Sequence, residues 1–161
     1  MPILRPVKKC HFVKWLHPRF YEAVADLECH SCEKFWTFED IRRVMAKTYT
    51  NGYVMTDLLK PMGFIVFTRR EQQGKIINLV THSDYRRSGW GTMLLDRAKK
   101  RLVEEDGCTE LFLDLRESNT AAQLFFKKNG FVATSVRRAF FKDEYQESTE
   151  FEDAFRFSWR P

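Results

Sequence analysis

The chain has 161 residues, of which 43% are hydrophobic and 30% are charged, and these values are typical of one globular domain with a single core. Its 27 basic and 22 acidic residues leave a net charge of +5, which permits an acidic partner but does not indicate nucleic-acid binding as the main function. No apolar run approaches the length of a membrane span and no signal-peptide pattern follows Met1, so we expect a cytoplasmic protein without a membrane partner.

The cysteines do not indicate a metal or disulfide site. Cys29 and Cys32 form a C-x-x-C pair, and Cys10 and Cys108 lie far from it in the sequence. Zinc sites of this kind need a second pair at a matching spacing, and the chain has none. We therefore expect no bound metal, and the cytoplasmic expectation argues against disulfides.

The first part of the chain predicts a strand followed by two helices. Residues 10–16 predict the strand, because they alternate roughly and include Phe, Val and Trp. Residues 19–29 predict the first helix, and Thr37 is predicted to cap the second, which runs to about Lys47. The apolar faces of the two helices are Phe20, Val24 and Leu27, and Phe38, Ile41, Val44 and Met45.

Three successive strands are predicted next. Asn51-Gly52 predicts a turn, and further breaks are expected at Lys60-Pro61 and around Gln73-Gly74. The strands between these breaks are residues 53–59, 62–68 and 75–81.

The second half of the chain predicts alternating helices and strands. An amphipathic helix follows Gly91, with Met93, Leu94, Leu95, Ala98 and Leu102 on its apolar side. The later elements are a strand over 110–115, a helix over Thr120–Lys128, a strand over 131–141 and a strand over Phe151–Trp159. The order β-α-α-β-β-β-α-β-α-β-β predicts an α/β (α+β) fold of one domain over residues 1–161, with a mixed, mostly antiparallel central sheet flanked by helices.

Residues 76–100 run from an apolar strand through a polar turn into a helix. A helix start gathers backbone N–H groups without intrahelical acceptors, and the helix dipole adds positive potential there. Arg86 and Arg87 add full charges to the same turn. The pattern therefore predicts a phosphate or pyrophosphate site. The alternative is that Gly89 and Gly91 only make a tight turn and that the arginines are solvated.

The glycine spacing separates this turn from other phosphate-binding motifs. Arg86-x-x-Gly89-x-Gly91 is neither a P-loop nor a dinucleotide motif, and it resembles the acetyl-CoA pyrophosphate motif of the GCN5-related N-acetyltransferase (GNAT) superfamily. A second stretch, residues 111–131, resembles the region of the fourth helix in that superfamily. Its matching residues are Arg116, Asn119, Ala122, Gly130 and Phe131. Within the superfamily, the resemblance is strongest to bacterial ribosomal-protein-alanine N-acetyltransferases.

The resemblance implies acetyl-CoA as the cofactor and assigns residues to it. It implies that the pantetheine is bound at the strand end, by Leu79, Val80 and Thr81. It implies that the pyrophosphate is bound by the turn, which comprises Arg86, Arg87, Ser88, Gly89, Trp90, Gly91 and Thr92. Asn119 matches a residue that contacts the cofactor, and Phe126 stands near the expected position of its sulfur.

Two positions depart from the family pattern at the expected catalytic site. Asp114 stands where similar enzymes have a Glu general base, and because Asp reaches one methylene less, a water that relays the proton would be more necessary. Its alternative role is to pair with a cation at a strand end. Phe126 stands where the family commonly has a Tyr acid, and phenylalanine cannot donate a proton. Either another group protonates the thiolate, or CoA leaves as the thiolate, or the domain binds acyl-CoA without efficient transfer; the alternative role of Phe126 is core packing.

The resemblance implies an acetyl-CoA-dependent N-acetyltransferase. The expected acceptor is the α-amine of a protein or peptide N-terminus, such as that of a ribosomal protein. Phe140 and Phe141 stand where similar enzymes have tyrosines that help to bind the peptide. A small-molecule amine acetyltransferase and a non-catalytic acyl-CoA-binding module are the alternatives, and either a monomer or a homodimer is compatible with the sequence.

Overall fold

The computed structural model describes residues 11–29, 36–58, 60–142 and 151–161. The chain forms two compact units. The first unit comprises Met1–Thr68 and Ile77–Lys100, and the second comprises Arg69–Ile76 and Arg101–Pro161. The assignment of residues 1–161 to one domain stays a prediction.

The predicted order of strands and helices is confirmed. The first unit begins with β1 (His11–Trp15), a 3-10 turn (Pro18–Phe20), α1 (Tyr21–Cys29), α2 (Phe38–Met45) and β2 (Thr50–Asp57). Then come β3 (Lys60–Arg70), β4 (Gln73–Thr81) and α3 (Trp90–Lys100), which continues as a π-helical segment (Arg101–Glu105). The remaining elements are β5 (Glu110–Arg116), α4 (Thr120–Lys128), β6 (Val132–Lys142) and β7 (Phe151–Trp159).

The strands pair in the order β1-β2-β3-β4-β5-β7-β6. The pairs β1–β2, β2–β3, β5–β7 and β6–β7 are antiparallel, whereas Gln73–Lys75 of β4 pairs in parallel with Glu110–Phe112 of β5. The predicted mixed, mostly antiparallel sheet is therefore confirmed. No helix in the described ranges is long and apolar enough to cross a membrane.

The predicted turn at Asn51-Gly52 is wrong, because both residues lie within β2. A Cβ on Gly52 would stand 2.8 Å from the carbonyl oxygen of Ile65 and 3.0 Å from Leu16 Cδ2. The glycine therefore permits close packing inside the sheet. The Asn-Gly dipeptide alone does not distinguish this role from a turn.

The predicted break at Lys60-Pro61 is also wrong, because β3 begins at Lys60. Pro61 lies opposite Thr56, where the register shifts between Met55 and Thr56. Such an irregularity accommodates a residue that has no N–H to donate to the ladder. The break predicted around Gln73-Gly74 is present, but it lies slightly earlier, at residues 71–72, between the end of β3 at Arg70 and the start of β4 at Gln73.

Thr37 caps α2 as predicted. The Asp40 N–H donates to Thr37 Oγ1 at 3.2 Å, and the Thr37 N–H donates to Asp40 Oδ2 at 3.0 Å, which completes a capping box. The helix ends at Met45, before the predicted end. Ile41 is fully buried, but Phe38 is 42% exposed and so does not belong to the buried face that was predicted for it.

The core of the first unit lies between α1, α2 and the strands. Its buried members are Leu16, Phe20, Tyr21, Val24, Leu27, Ile41, Val54, Phe64, Val66 and Val80. In the second unit, alternate residues of β5 are buried (Leu111, Leu113 and Leu115), and the residues between them are only partly buried. The second unit therefore has one apolar sheet face and one polar face.

Cys10 and Cys32 lie outside the described residues, and so does the side chain of Cys29. Cys108 is buried. This burial is the largest cause of the raised pKa of its thiol. A buried thiol with a raised pKa is a poor nucleophile at neutral pH. Among the described residues, no group of His, Cys, Asp and Glu is arranged to hold a metal ion.

Candidate functional site

The end of β4 is fixed in the first unit by close strand packing. A Cβ on Gly63 of β3 would lie 2.9 Å from the carbonyl oxygen of Val80 and 3.2 Å from Leu94 Cδ1. The strand then ends at Thr81, and the Nε atom of Arg86 donates to the Thr81 carbonyl oxygen at 3.3 Å. The predicted pantetheine-binding residues, Leu79, Val80 and Thr81, are thus the last residues of a well-packed strand.

A short 3-10 turn, Ser83–Tyr85, connects this strand to the glycine-containing turn. The His82 N–H donates to the Met62 carbonyl oxygen at 2.8 Å, which ties the connection to β3. The Asp84 N–H donates to His82 Nδ1 at 3.2 Å. These bonds fix the direction in which the chain leaves the sheet.

The turn itself depends on left-handed backbone conformations. Gly89 has a φ of 82° and Arg87 has a φ of 60°, so both lie in the region that favours glycine. The Met93 N–H donates to the Gly89 carbonyl oxygen at 3.0 Å, which makes it the first helical bond of α3. The N–H groups of Gly91 and Thr92 precede that bond and so have no acceptor within the helix.

The electrostatics of this turn suit an anion. Arg86, Arg87, Ser88 and Gly89 are exposed, so the helix start is open to solvent. The α3 dipole and the two arginines give the turn a positive potential. Helix N–H groups and arginine guanidinium groups can together bind a pyrophosphate.

The second unit contains Asp114, Asn119 and Phe126. The Asp114 side chain is 2% exposed and contacts three cations. Arg156 donates from Nε to Oδ1 at 2.9 Å and from Nη2 to Oδ2 at 3.0 Å. Arg137 Nη1 lies 3.3 Å from Oδ2, and Lys75 Nζ lies 3.5 Å from it.

These contacts decide the ionisation of Asp114. Burial alone would raise its pKa, but the hydrogen bonds from Arg156 and the charges of Arg156, Lys75 and Arg137 outweigh burial and lower the pKa. A carboxylate with a lowered pKa binds a proton weakly and is a weak general base. The surroundings therefore favour the ion-pair interpretation of Asp114 over the catalytic one.

Asn119 caps α4. Its side-chain oxygen accepts from the Ala122 N–H at 3.2 Å, and its own N–H donates to the Arg116 carbonyl oxygen at 3.0 Å. The residue is exposed, so its side chain is also accessible to a ligand. Contact with the cofactor stays a prediction.

Phe126 lies in an aromatic cluster and is 4% exposed. Its ring packs edge-to-face against Phe125 at 5.1 Å and against Phe131 at 5.2 Å between centroids. Phe131 in turn contacts Trp159. These contacts support a packing role, and a role near the cofactor sulfur stays a prediction.

The sequence analysis missed the residues around Asp114. Arg156 lies directly opposite Asp114 in the β5–β7 ladder, and Arg137 lies on the neighbouring strand β6. The sequence did contain one signal of this ion pair. Asp114 and Arg156 are charged residues that lie among apolar residues, in β5 and in β7. The sequence does not give the strand register, which is what brings the two side chains together.

A carboxylate in the same unit orients the loop before α4. Glu152 Oε1 accepts from the Ser118 N–H at 2.8 Å and also from the Ser118 hydroxyl, and Oε2 accepts from Arg116 Nη1 at 3.0 Å. Burial alone would raise the pKa of Glu152, but the Ser118 and Arg116 contacts outweigh it and lower the pKa. Glu152 therefore helps to set the position from which Asn119 begins α4.

Comparison with known proteins agrees with this geometry. The sequence model of the acetyltransferase (GNAT) family matches residues 11–131. Over 72 residues the chain is 33% identical to an N-alpha-acetyltransferase of Sulfurisphaera tokodaii, a match that covers 45% of this chain and only 43% of that relative. Over 106 residues it is 26% identical to the ribosomal protein bS18-alanine N-acetyltransferase of Escherichia coli, with 66% of this chain and 70% of that protein covered.

Solved structures show the same fold. The crystal structure of the ribosomal-protein-S18-alanine N-acetyltransferase from Escherichia coli has a TM-score of 0.80, with 21% identity over 93% of both chains. The structure of Arabidopsis thaliana NAA60 in complex with acetyl-CoA has a TM-score of 0.78, with 14% identity over 93% of this chain and 98% of that one. The family match spans most of the chain, including the turn before α3 and the region of α4, and this chain therefore belongs to the GNAT family of acetyltransferases.

Proposed function

We propose that this chain transfers the acetyl group of acetyl-CoA to the N-terminal α-amine of a protein or peptide. Membership of the family gives acetyl-CoA as the donor and an amine as the acceptor. The relatives from Sulfurisphaera tokodaii and Escherichia coli, which are named for N-alpha and ribosomal-protein-alanine acetylation, support the α-amine. The observation that carries the proposal is the turn at Arg86, Gly89 and Gly91, which exposes a positive helix start after β4.

The turn and the strand end would hold the donor. Gly91 and Thr92 would donate their N–H groups to the pyrophosphate, while Arg86 and Arg87 would neutralise its charge. The end of β4, from Leu79 to Thr81, offers extended backbone to the pantetheine. When bound, acetyl-CoA would supply an activated thioester; the amine nitrogen would form the new C–N bond and lose one proton to solvent, the C–S bond would break, and CoA would leave as the thiolate or, once protonated, as the thiol.

The need to deprotonate the acceptor favours an α-amine over a lysine side chain. An ammonium group must lose a proton before it can attack, and Asp114 is a weak base because its pKa is lowered. An α-amino group has a pKa of about 8, whereas the lysine side chain has a pKa of about 10.4. The α-amine is thus already partly neutral at physiological pH, and a site with a weak base suits it better.

The test is a comparison of peptides that differ only in which amine is available. One peptide has a free N-terminal alanine and no lysine; its partner has a blocked N-terminus and one internal lysine. We expect CoA release and a mass increase of one acetyl group, mapped to the N-terminus, with the first peptide only. Acetylation of small amines but of neither peptide would establish a small-molecule enzyme instead. Acetyl-CoA binding without transfer to any amine would establish a non-catalytic module.

A further inference from the structure

The polar sheet face of the second unit carries more positive than negative charge. We call this surface the cationic face and define it by Lys75, Arg116, Arg137 and Arg156 around Asp114. Arg156 lies opposite Asp114 in the ladder, and Arg137 and Lys75 contact the same carboxylate. Arg116 lies two residues further along β5, on the same side of the sheet.

The charges on this face do not balance. Arg116 pairs with Glu152, and Arg160 pairs with Glu110 at the far end of β5. The remaining cations, Lys75, Arg137 and Arg156, share the single carboxylate of Asp114. Among the residues that the structure describes, three cations share the one carboxylate of Asp114 while the other two ion pairs are balanced, so these residues leave an excess of two positive charges on the face.

The excess charge is accessible to a ligand. The Asp114 side chain is 2% exposed, whereas the side chains of Arg137 and Lys75 are 42% and 37% exposed. Both cations are therefore open to solvent while they contact Asp114. Cations that converge on one carboxylate also repel one another, and a further anion would relieve that repulsion.

We propose that the cationic face binds acidic side chains of the acceptor, so that the enzyme prefers protein N-termini that are followed by Asp or Glu. This inference rests on the proposed function, because it assigns a substrate class to the same reaction. The charge complementarity between the face and a carboxylate is its basis.

The aromatic residues of this region favour a peptide over a nucleic acid. Bases stack on open aromatic faces, but here guanidinium groups cover the rings. Arg137 lies 4.1 Å from the centre of the Phe140 ring, Arg116 lies 4.3 Å from that of Phe141, and Arg156 lies 4.4 Å from that of Phe112. A small charge excess beside rings that already stack with guanidinium groups suits a few carboxylates better than a polynucleotide.

The experiment measures kcat/KM for three peptides with a common N-terminal residue and with acidic, neutral or basic residues at the next two positions. We expect the acidic peptide to exceed the neutral one about fivefold at low salt, as two partly exposed ion pairs allow. The preference should shrink towards unity at high ionic strength, because salt screens exposed charges. Equal values for all three peptides, or a preference for the basic one, would overturn the inference.

Arg137→Gln is the test variant, because Asp114 keeps the bidentate bonds from Arg156 and the Lys75 contact when Arg137 is lost. It should reduce the preference for the acidic peptide by half or more. Arg137→Glu should go further and favour the basic peptide. The matched control is Lys128→Gln, which removes one exposed positive charge from α4 of the same unit and should leave the preference unchanged. A preference that survives Arg137→Glu would also overturn the inference.

A binding measurement separates this inference from the proposed function. If no peptide is acetylated, the proposed function fails; fluorescence anisotropy of labelled peptides then tests the face directly. Tighter binding of the acidic peptide to the parent than to Arg137→Gln supports the charge assignment. Two results would overturn it: an oligonucleotide that binds through Arg137, or acidic-peptide binding that occurs only after the acids of residues 143–150 are neutralised.

Discussion

Arg156 holds Asp114 by two parallel hydrogen bonds, at 2.9 Å from Nε to Oδ1 and at 3.0 Å from Nη2 to Oδ2. The two residues lie opposite each other on neighbouring antiparallel strands, β5 and β7. Bidentate pairs of this kind fix geometry as well as adding energy. The carboxylate of Asp114 therefore contributes both to the stability of the second unit and to the charge of the cationic face.

Asp114→Asn should destabilise the protein at neutral pH. The amide has the size of the carboxyl but no charge, so Arg156, Arg137 and Lys75 lose their shared anion. We expect the free energy of unfolding to fall by about 2–3 kcal/mol, measured by urea denaturation. Glu110→Gln, which removes a carboxylate from the longer and more exposed contact with Arg160, is the control and should change it by less than about 1 kcal/mol.

The difference between the parent and Asp114→Asn should depend on pH. The folded-state pKa of Asp114 lies below its unfolded value, so ionisation stabilises the folded protein above the unfolded pKa of about 3.9. That stabilisation is lost as the pH falls through the folded pKa. Denaturation curves of the two proteins should therefore converge below about pH 4, and a constant difference would show that charge is not the cause.

Most of the fold was predictable from local sequence patterns. The Thr37 cap and the β7 strand were found because caps and apolar alternation are local signals. Gly52 and Pro61 were misassigned because their roles depend on non-local partners. Gly52 makes room for Ile65 and Leu16, and Pro61 lies at a register shift that no single strand reveals.

The candidate site also contains one part that a local sequence pattern predicts and one part that depends on non-local strand pairing. The turn at Arg86 and Gly89 is a continuous stretch, so the sequence alone predicted a positive helix start there. The surroundings of Asp114 come from separate strands, and the arginines that lower its pKa were not predicted. Sequence spacing locates a residue on a strand, but only the register tells which charges it meets.

Gly89→Glu should weaken acetyl-CoA binding through charge. A Cβ at Gly89 would meet no atom within 4 Å, so the backbone strain of the variant comes from the positive φ. The added carboxylate would lie at the proposed pyrophosphate turn, and we expect an affinity loss of about tenfold or more in calorimetry. Gly107→Glu has the same open surroundings and a positive φ of 70°, and this control should bind acetyl-CoA as the parent does. If Gly89→Glu and Gly107→Glu bound acetyl-CoA with equal affinity, the pyrophosphate would have to bind at another place.

Gly63→Ala should lower both stability and acetyl-CoA affinity. The new Cβ would lie 2.9 Å from the Val80 carbonyl oxygen, so the end of β4 must move. Gly52→Ala creates similar crowding, at 2.8 Å from the Ile65 carbonyl oxygen, but away from that end. We expect each variant to lose about 1–3 kcal/mol in thermal or urea unfolding. Only Gly63→Ala should lose affinity, and an equal loss in both would indicate a general effect of destabilisation.

Phe126→Tyr tests whether this position lacks a proton donor. The tyrosine ring can keep the edge-to-face contacts with Phe125 and Phe131, so the hydroxyl is the only addition. If departure of the thiolate limits turnover, kcat at saturating acceptor should rise by up to about 10²-fold, with the acetyl-CoA KM unchanged. Phe125→Tyr adds a hydroxyl to the neighbouring ring and should not raise kcat. If Phe126→Tyr instead leaves kcat unchanged and lowers the free energy of unfolding by about 1–3 kcal/mol, the hydroxyl is buried without a partner and Phe126 is a packing residue.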